Sequence, residues 1–221
     1  MISDATLAAL CASSYLDPAQ AGIAWDHFDA GSSGDQVRWA IKRIGGDVAL
    51  ILPGSRTLGD WLRDLQAFAN PFHHDDIGPV HPGFLSGMRT LERELGGMVA
   101  KSETLHIAGH SLGAGRAAIL TGLLVIDGWE PAARVVFGEP KPGFAQLASI
   151  IKDVPGRSYR NGDGDHHDLV TDVPFSFPPE EFLHPSPVIP VCARPAAAAF
   201  AQDGIFAWHH MPLYQAALAG A

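Results

Sequence analysis

The sequence predicts an α/β fold: a mainly parallel central sheet with helices on both faces, formed as a single domain over residues 1–221. Three observations predict it. The apolar runs "DVALIL", "TLHIAG" and "ARVVF" have the length of buried strands, and each is followed by apolar residues at helical spacing. Strands alternating with helices imply a parallel sheet covered on both sides. No repeat, low-complexity block or linker divides the chain, and 221 residues suffice for one large core.

The elements follow in order. Leu7, Leu10 and Cys11 set a helical spacing within Asp4 to Leu16. Asp47 to Leu52 reads as a buried strand stopped by Pro53-Gly54. Leu58, Trp61, Leu62, Leu65 and Phe68 recur at helical intervals, and Leu85, Met88, Leu91 and Leu95 form the stripe of an amphipathic helix over Phe84 to Met98. "TLHIAG" is a second strand, and Leu112 to Ile126 is a helix leaving a glycine-rich turn. "ARVVFGEPKPG" gives a third strand and a glycine-proline loop. Gly143 to Ile151 is helical, "GRSYRNGD" carries a fourth strand, Pro174 to Pro195 is irregular, and Trp208 to Ala219 closes the chain as a helix. The reactive loops of such a sheet lie at the carboxyl ends of its strands.

Composition narrows the function. Hydrophobic residues at 47% and charged residues at 18% suit a globular protein. A net charge of -9 argues against nucleic acid or an anionic membrane as partner and favours a neutral or apolar substrate. The two cysteines, Cys11 and Cys192, exclude a disulfide scaffold and form no C-x-x-C motif, so two buried thiols are expected. The first residues lack a basic region ahead of an apolar run, and no apolar run approaches the ~18 residues of a membrane span. A soluble, cytoplasmic protein is the expectation, with contact at a lipid interface but no stable insertion. The sequence leaves the oligomeric state open.

The stretch "TLHIAGHSLGAGRAA" contains Gly109-His110-Ser111-Leu112-Gly113, a G-x-S-x-G pentapeptide between strand and helix. Glycines at its ends let strand and helix approach, so Ser111 can occupy an exposed elbow as a nucleophile. The helix start behind it makes the Leu112 N–H an oxyanion donor. A serine needs a base, and around such an elbow the acid and then the histidine follow in chain order. Of eleven histidines, His209 and His210 lie beyond every candidate acid. The acid comes from Asp163, Asp165, Asp168 and Asp172, of which Asp168 directly precedes the apolar Leu169-Val170. Ser55, just past a buried strand, is positioned as the second oxyanion donor. Trp61 and Leu62, with Leu65 and Phe68, offer an acyl pocket, and His110 is counted among the substrate-facing residues.

Together these segments resemble the class 3 lipases, the fungal-type triacylglycerol lipase group of the α/β-hydrolase fold. "LILPGSRTLGDWLRDL" is similar to that family's oxyanion and lid segment, "VHPGF" to the motif after the lid, and "LHIAGHSLGAGRAA" to its nucleophile elbow. "VVFGEPKPG" is similar to its G-x-P-[KR]-x-G loop and "HDLVTDVP" to its acid motif. The resemblance runs from about Asp47 to Tyr214. It implies Ser111 as nucleophile, Asp168 as acid, Ser55 with Leu112 as the oxyanion pair, and the helix around Trp61 as lid or pocket wall. Met211 and Tyr214 match the family's trailing positions best with His209 as base. Pro53 departs from the pattern where an arginine is usual, and Arg116 where small residues are commoner.

The implied activity is serine hydrolysis of small-molecule acyl esters or lipids through an acyl-enzyme, with no metal or organic cofactor. Two other readings use different features. "FHHDD" at Phe72 to Asp76 and "DGDHHD" at Asp163 to Asp168 suggest a metal-dependent hydrolase. A binding module that keeps the hydrolase fold without turnover is the third.

Overall fold

The computed structural model describes residues 1–31, 37–55, 71–176 and 181–220. Among them a seven-stranded sheet forms the centre, in the order β1 (His27–Asp29), β2 (Trp39–Ile44), β3 (Asp47–Leu52), β6 (Leu105–His110), β7 (Ala133–Phe137), β8 (Gly156–Asn161) and β9 (Val188–Val191). β1, β2 and β3 pair antiparallel at one edge, and from β3 to β9 every pairing is parallel. The sequence-based α/β architecture is therefore present. β4 (Phe72–His74) and β5 (Gly78–Val80) form a separate hairpin.

The middle strands are buried because both faces are covered. Every residue of β6 and β7 is buried, which is why these segments are mostly apolar rather than alternating, with His106, His110 and Arg134 the buried polar exceptions. On one face Val48, Leu50 and Leu52 pack with Phe84, Met88, Leu91, Ala117, Leu120 and Leu147. These come from α2 (Pro82–Leu85), α3 (Met88–Met98), α4 (Leu112–Ile126) and α5 (Ala145–Ile151). On the other face Ala49 and Ile51 pack with Leu7, Leu10, Met211 and Tyr214, from α1 (Asp4–Ser13) and the last helix. Strand residues one apart thus serve opposite cores, the period-two rule at work. The chain ends with α6 (Ala197–Asp203), a 3-10 turn Gly204–His209 and α7 (Met211–Ala219).

Several expectations are corrected. The helix expected over Phe84 to Met98 is two helices, broken where Gly87 takes a left-handed φ of 79°. The closing helix starts only at Met211, because the residues through His209 form the tighter 3-10 turn. The region from Pro174 to Pro195 is not wholly irregular: it holds β9, whose Pro190 is tolerated because the strand lies at the sheet edge. Lys42 and Arg43 masked β2, an outer strand that is buried only in its first half. Cys11 is buried as expected, but Cys192 is exposed, just beyond the β9 edge. The helix expected around Trp61, Leu62, Leu65 and Phe68 lies outside the described residues.

Candidate active site

The site lies at the carboxyl ends of β3, β6 and β8. Ser111 follows β6 with φ 59° and ψ -128°, the one non-glycine residue with positive φ among the described residues. Such a conformation costs about 1–3 kcal/mol and persists only where the surroundings impose it. Here the helix is pressed against the sheet. A Cβ on Gly113 would stand 1.9 Å from the Leu52 carbonyl oxygen, and one on Gly109 2.4 Å from that of Gly113. The two glycines permit this approach, and it turns Ser111 out of the helix line. The Ser111 hydroxyl makes no capping bond, and Oγ is buried without a hydrogen-bond partner. Leu112 begins α4, where a helix offers its N–H no internal acceptor.

Asp168 stands after β8, at the start of the 3-10 turn Leu169–Asp172. Its N–H donates to the Asn161 carbonyl (2.9 Å), and its Oδ1 accepts from the Val170 N–H (2.9 Å). Its Oδ2 faces His209 Nδ1 at 2.6 Å and accepts the Tyr214 hydroxyl at 2.5 Å. Full burial alone would raise this carboxyl. The charge of His209 and the hydrogen bonds from His209, Tyr214 and Val170 outweigh burial and hold it below the ordinary carboxylate range. An ionised carboxylate only accepts, so the proton between them sits on His209 Nδ1, which leaves Nε2 as the nitrogen that can act as a base. That Nε2 is buried and has no partner.

A second chain of bonds fixes the backbone of His209. Carbonyl oxygens only accept, so His110 Nε2–H donates to the His209 carbonyl (2.8 Å), leaving His110 Nδ1 as an acceptor. Tyr15 donates its hydroxyl proton to that Nδ1 (2.5 Å) and accepts from the Gly54 N–H (2.8 Å). The relay thus runs from the β3 loop, through Tyr15 and His110, to the loop carrying His209. Burial first, and then the charge of neighbouring His209, lower the His110 pKa to about 3, so the ring remains neutral. The His110 and His209 rings stack with centroids 4.6 Å apart. His110 meets the cavity as a ring, with both nitrogens committed to protein partners.

Ser55, His110, Ser111, His209 and His210 line one cavity of about 670 Å³. Of the sequence-predicted residues, Ser111, His209, Ser55 and His110 line this cavity, Asp168 reaches it through His209, and Leu112 follows Ser111 at the helix start, whereas Trp61 and Leu62 lie outside the described residues. His210 is exposed, and its Nε2 faces Asp203 Oδ2 at 3.0 Å. Asp172 holds His167 Nε2 at 2.8 Å, and Asp163 accepts from the His166 N–H. Among the described residues no group of three or more His, Cys, Asp or Glu side chains could hold a metal ion, so neither the Phe72–Asp76 nor the Asp163–Asp168 stretch gathers a ligand set.

Two site residues escaped the sequence reading in these roles. Tyr214 appeared only as a trailing apolar position, without its bond to Asp168. Tyr15 is 95 residues from His110, and no local pattern marks it. A further contact holds the acid turn: His184 Nε2 donates to the Thr171 carbonyl (2.8 Å), and His184 Nδ1 lies 3.5 Å from Glu139, which pairs with Arg134 (2.5 Å).

Comparison with known proteins gives the family and the fold. A family model described as lipase (class 3) matches residues 49–177. No curated protein matches significantly. Among solved structures, the Penicillium cyclopium protein MDLA, in mutant form, matches with a TM-score of 0.68 at 20% identity, over 88% of this chain and 80% of that one. The Rhizomucor miehei triacylglyceride lipase matches with a TM-score of 0.61 at 18% identity, over 76% of this chain and 72% of that one. A triacylglycerol lipase whose catalytic centre is described as a serine protease triad matches with a TM-score of 0.61 at 20% identity, covering 77% and 73%. At these identities the structures establish the shared fold.

Proposed function

Because this chain belongs to the class 3 lipase family, and is thus a serine ester hydrolase, we propose that Ser111, His209 and Asp168 are its triad and that it cleaves neutral acyl esters through an acyl-enzyme. The observation that carries this reading is a pair of atoms: Ser111 Oγ and His209 Nε2 are both buried, both without a partner, and both on residues lining one cavity. Buried polar atoms are rarely left unpaired, and a catalytic role is one of the explanations for such an atom; here two of them belong to a candidate nucleophile and a candidate base on one cavity.

In this reading His209 Nε2 takes the Ser111 proton as Oγ attacks the ester carbonyl, and the carbonyl π electrons move onto oxygen. The Leu112 N–H and Ser55 stabilise that oxyanion, at ~3 kcal/mol per donor in comparable sites. Collapse breaks the bond to the leaving alcohol, which takes its proton from the imidazolium. Water then attacks the acyl-enzyme with His209 as base, releasing the carboxylic acid and restoring Ser111. Asp168 fixes the Nδ1–H tautomer and stabilises the imidazolium without itself being protonated. The steps need no group beyond these residues, the substrate and one water. Partners are accordingly small acyl esters or lipids. No helix among the described residues is long and apolar enough to cross a membrane.

A p-nitrophenyl ester series, short to long acyl, on wild type and Ser111→Ala tests the proposal. Loss of roughly 10⁴-fold or more in kcat on Ser111→Ala is expected by analogy with triad knock-outs. Unchanged turnover would overturn it.

A further inference from the structure

We propose that Glu139 and His184 are positioning residues for the reaction: a buried carboxylate–imidazole pair that holds the acid turn in place and so sets the aim of Asp168 at His209. This deepens, and rests on, the reading of Ser111, His209 and Asp168 as the triad.

The acid turn needs an outside hold. It is the 3-10 turn Leu169–Asp172, and turns this short have few and poorly aligned internal hydrogen bonds. Asp168 spends Oδ1 on the Val170 N–H within the turn, so a shift of the turn carries Oδ2 away from His209. Thr171 binds back to the acid, its hydroxyl donating to the Asp168 carbonyl at 2.7 Å. The Thr171 carbonyl in turn accepts from His184 Nε2–H at 2.8 Å. His184 therefore reaches the acid through one residue.

On its other side the His184 ring meets Glu139. Glu139 Oε2 stands 3.5 Å from His184 Nδ1, and Oε1 takes the Arg134 guanidinium at 2.5 Å. Arg134 also donates to Ser186 Oγ at 2.7 Å, just past His184 in the chain. A carbonyl only accepts, so Nε2 carries a proton, and a proton on Nδ1 as well makes the contact to Glu139 a charge-assisted one. Burial alone would raise the Glu139 carboxyl, but the Arg134 charge and the contact with His184 outweigh it and hold it below its ordinary range. A buried ion pair adds little net stability, because desolvation offsets its attraction. What this one adds is placement.

The loop carrying Glu139 meets the acid and base at two further points. Gly138 takes a left-handed φ of 55°, and a Cβ there would stand 2.6 Å from Asp168 Oδ2 and 2.9 Å from His209 Nδ1. The Lys141 N–H donates to the Val173 carbonyl at 2.8 Å, at the far end of the acid turn. The loop after β7 thus lies directly against the Asp168–His209 bond, and Glu139 is the side chain by which it grips the turn.

Three variants test the assignment, each followed by kcat and KM on p-nitrophenyl acetate, by thermal unfolding and by the low-field proton NMR signal of His209 Nδ1–H. His184→Leu keeps bulk and removes the donor, whereas His184→Gln returns a donor for the Thr171 carbonyl. Glu139→Gln keeps an acceptor for Arg134 and removes the charge. His184→Leu should lower kcat ~10- to 100-fold with KM within about 2-fold, the scale of a misplaced catalytic group, and should shift or broaden the His209 signal. His184→Gln should recover kcat to within about 5-fold of wild type, and Glu139→Gln should fall between the two. Variants that lose stability while kcat and the signal stay as in wild type would overturn the assignment, as would a His184→Gln no better than His184→Leu. If His184→Leu does not fold, Glu139→Gln decides alone, and kcat and signal indistinguishable from wild type would overturn it. The signal is read without substrate, so failure of the serine reading is distinct: turnover would survive Ser111→Ala.

Discussion

Tyr214 donates its hydroxyl to the same Asp168 oxygen that faces His209, at 2.5 Å and 2.6 Å respectively. The carboxylate therefore cannot rotate to serve one partner without losing the other. The Asn161 N–H donates in turn to the Tyr214 hydroxyl at 3.2 Å, tying the last helix to β8. Geometry held in this way is what an imidazole tautomer needs.

Tyr214→Phe keeps the ring in its core position and removes only the hydroxyl. A charge-assisted hydrogen bond of this kind contributes roughly 1.5–3 kcal/mol, so a stability loss of that order is expected in denaturant titration. Turnover should fall about 10-fold with little change in KM, since the phenol touches no substrate.

Tyr15→Phe should act through the oxyanion loop. It leaves the Gly54 N–H and His110 Nδ1 without the hydroxyl that joins them. The expected result is a fall in kcat of roughly 10- to 100-fold, below the ~10²–10³ of losing an oxyanion donor outright. Steady-state kinetics check this. A fall confined to KM would assign Tyr15 to substrate contact alone.

His110 should make the protein acid-sensitive. Its pKa is near 6.5 unfolded and about 3 folded. Between these values the unfolded chain binds the extra proton. The stability from its neutral burial is fully present above pH ~6.5 and is lost as pH falls toward 3. Asp168, held below its ordinary range, adds a loss at the acid end as pH falls through its folded pKa. Urea midpoints from pH 7 to pH 4 should fall in wild type with an added slope of roughly 1.4 kcal/mol per pH unit from His110. His110→Gln should flatten that slope even if its absolute stability is lower.

His209→Ala and His210→Ala are neighbours with different expected outcomes. His209 is 2% exposed and faces Asp168, whereas the His210 side chain is 45% exposed and faces Asp203. Loss of kcat by about 10⁴-fold or more should follow His209→Ala only. His210→Ala should stay within about 10-fold in kcat/KM, since an exposed pair of this kind contributes little to binding or stability.

What the sequence made legible follows from what is local. The elbow around Ser111 is a contiguous strand, glycine-flanked turn and helix, so its shape is written in five residues. β6 and β7 are buried on both faces and appear as apolar runs. β2 and β9 are outer strands, so charge in one and proline in the other hid them. The choice of Asp168 over Asp163, Asp165 and Asp172 needed only its apolar neighbours and the family pattern, and in the fold it is the one that meets His209. The relay through Tyr15 was invisible for the opposite reason. A hydroxyl 39 residues from Gly54 and 95 from His110 becomes a partner only once α1 lies against the sheet. Tyr214 likewise looks like a core aromatic until its hydroxyl is placed on a carboxylate.

The central claim is that Ser111 Oγ is the group that reacts. Labelling the folded protein with a fluorophosphonate and mapping the adduct by peptide mass spectrometry tests it most directly. The account predicts one stoichiometric adduct, on Ser111, that is lost in Ser111→Ala and slowed by orders of magnitude in His209→Ala. An adduct on another residue, or none on an enzyme that still turns over esters, would contradict it.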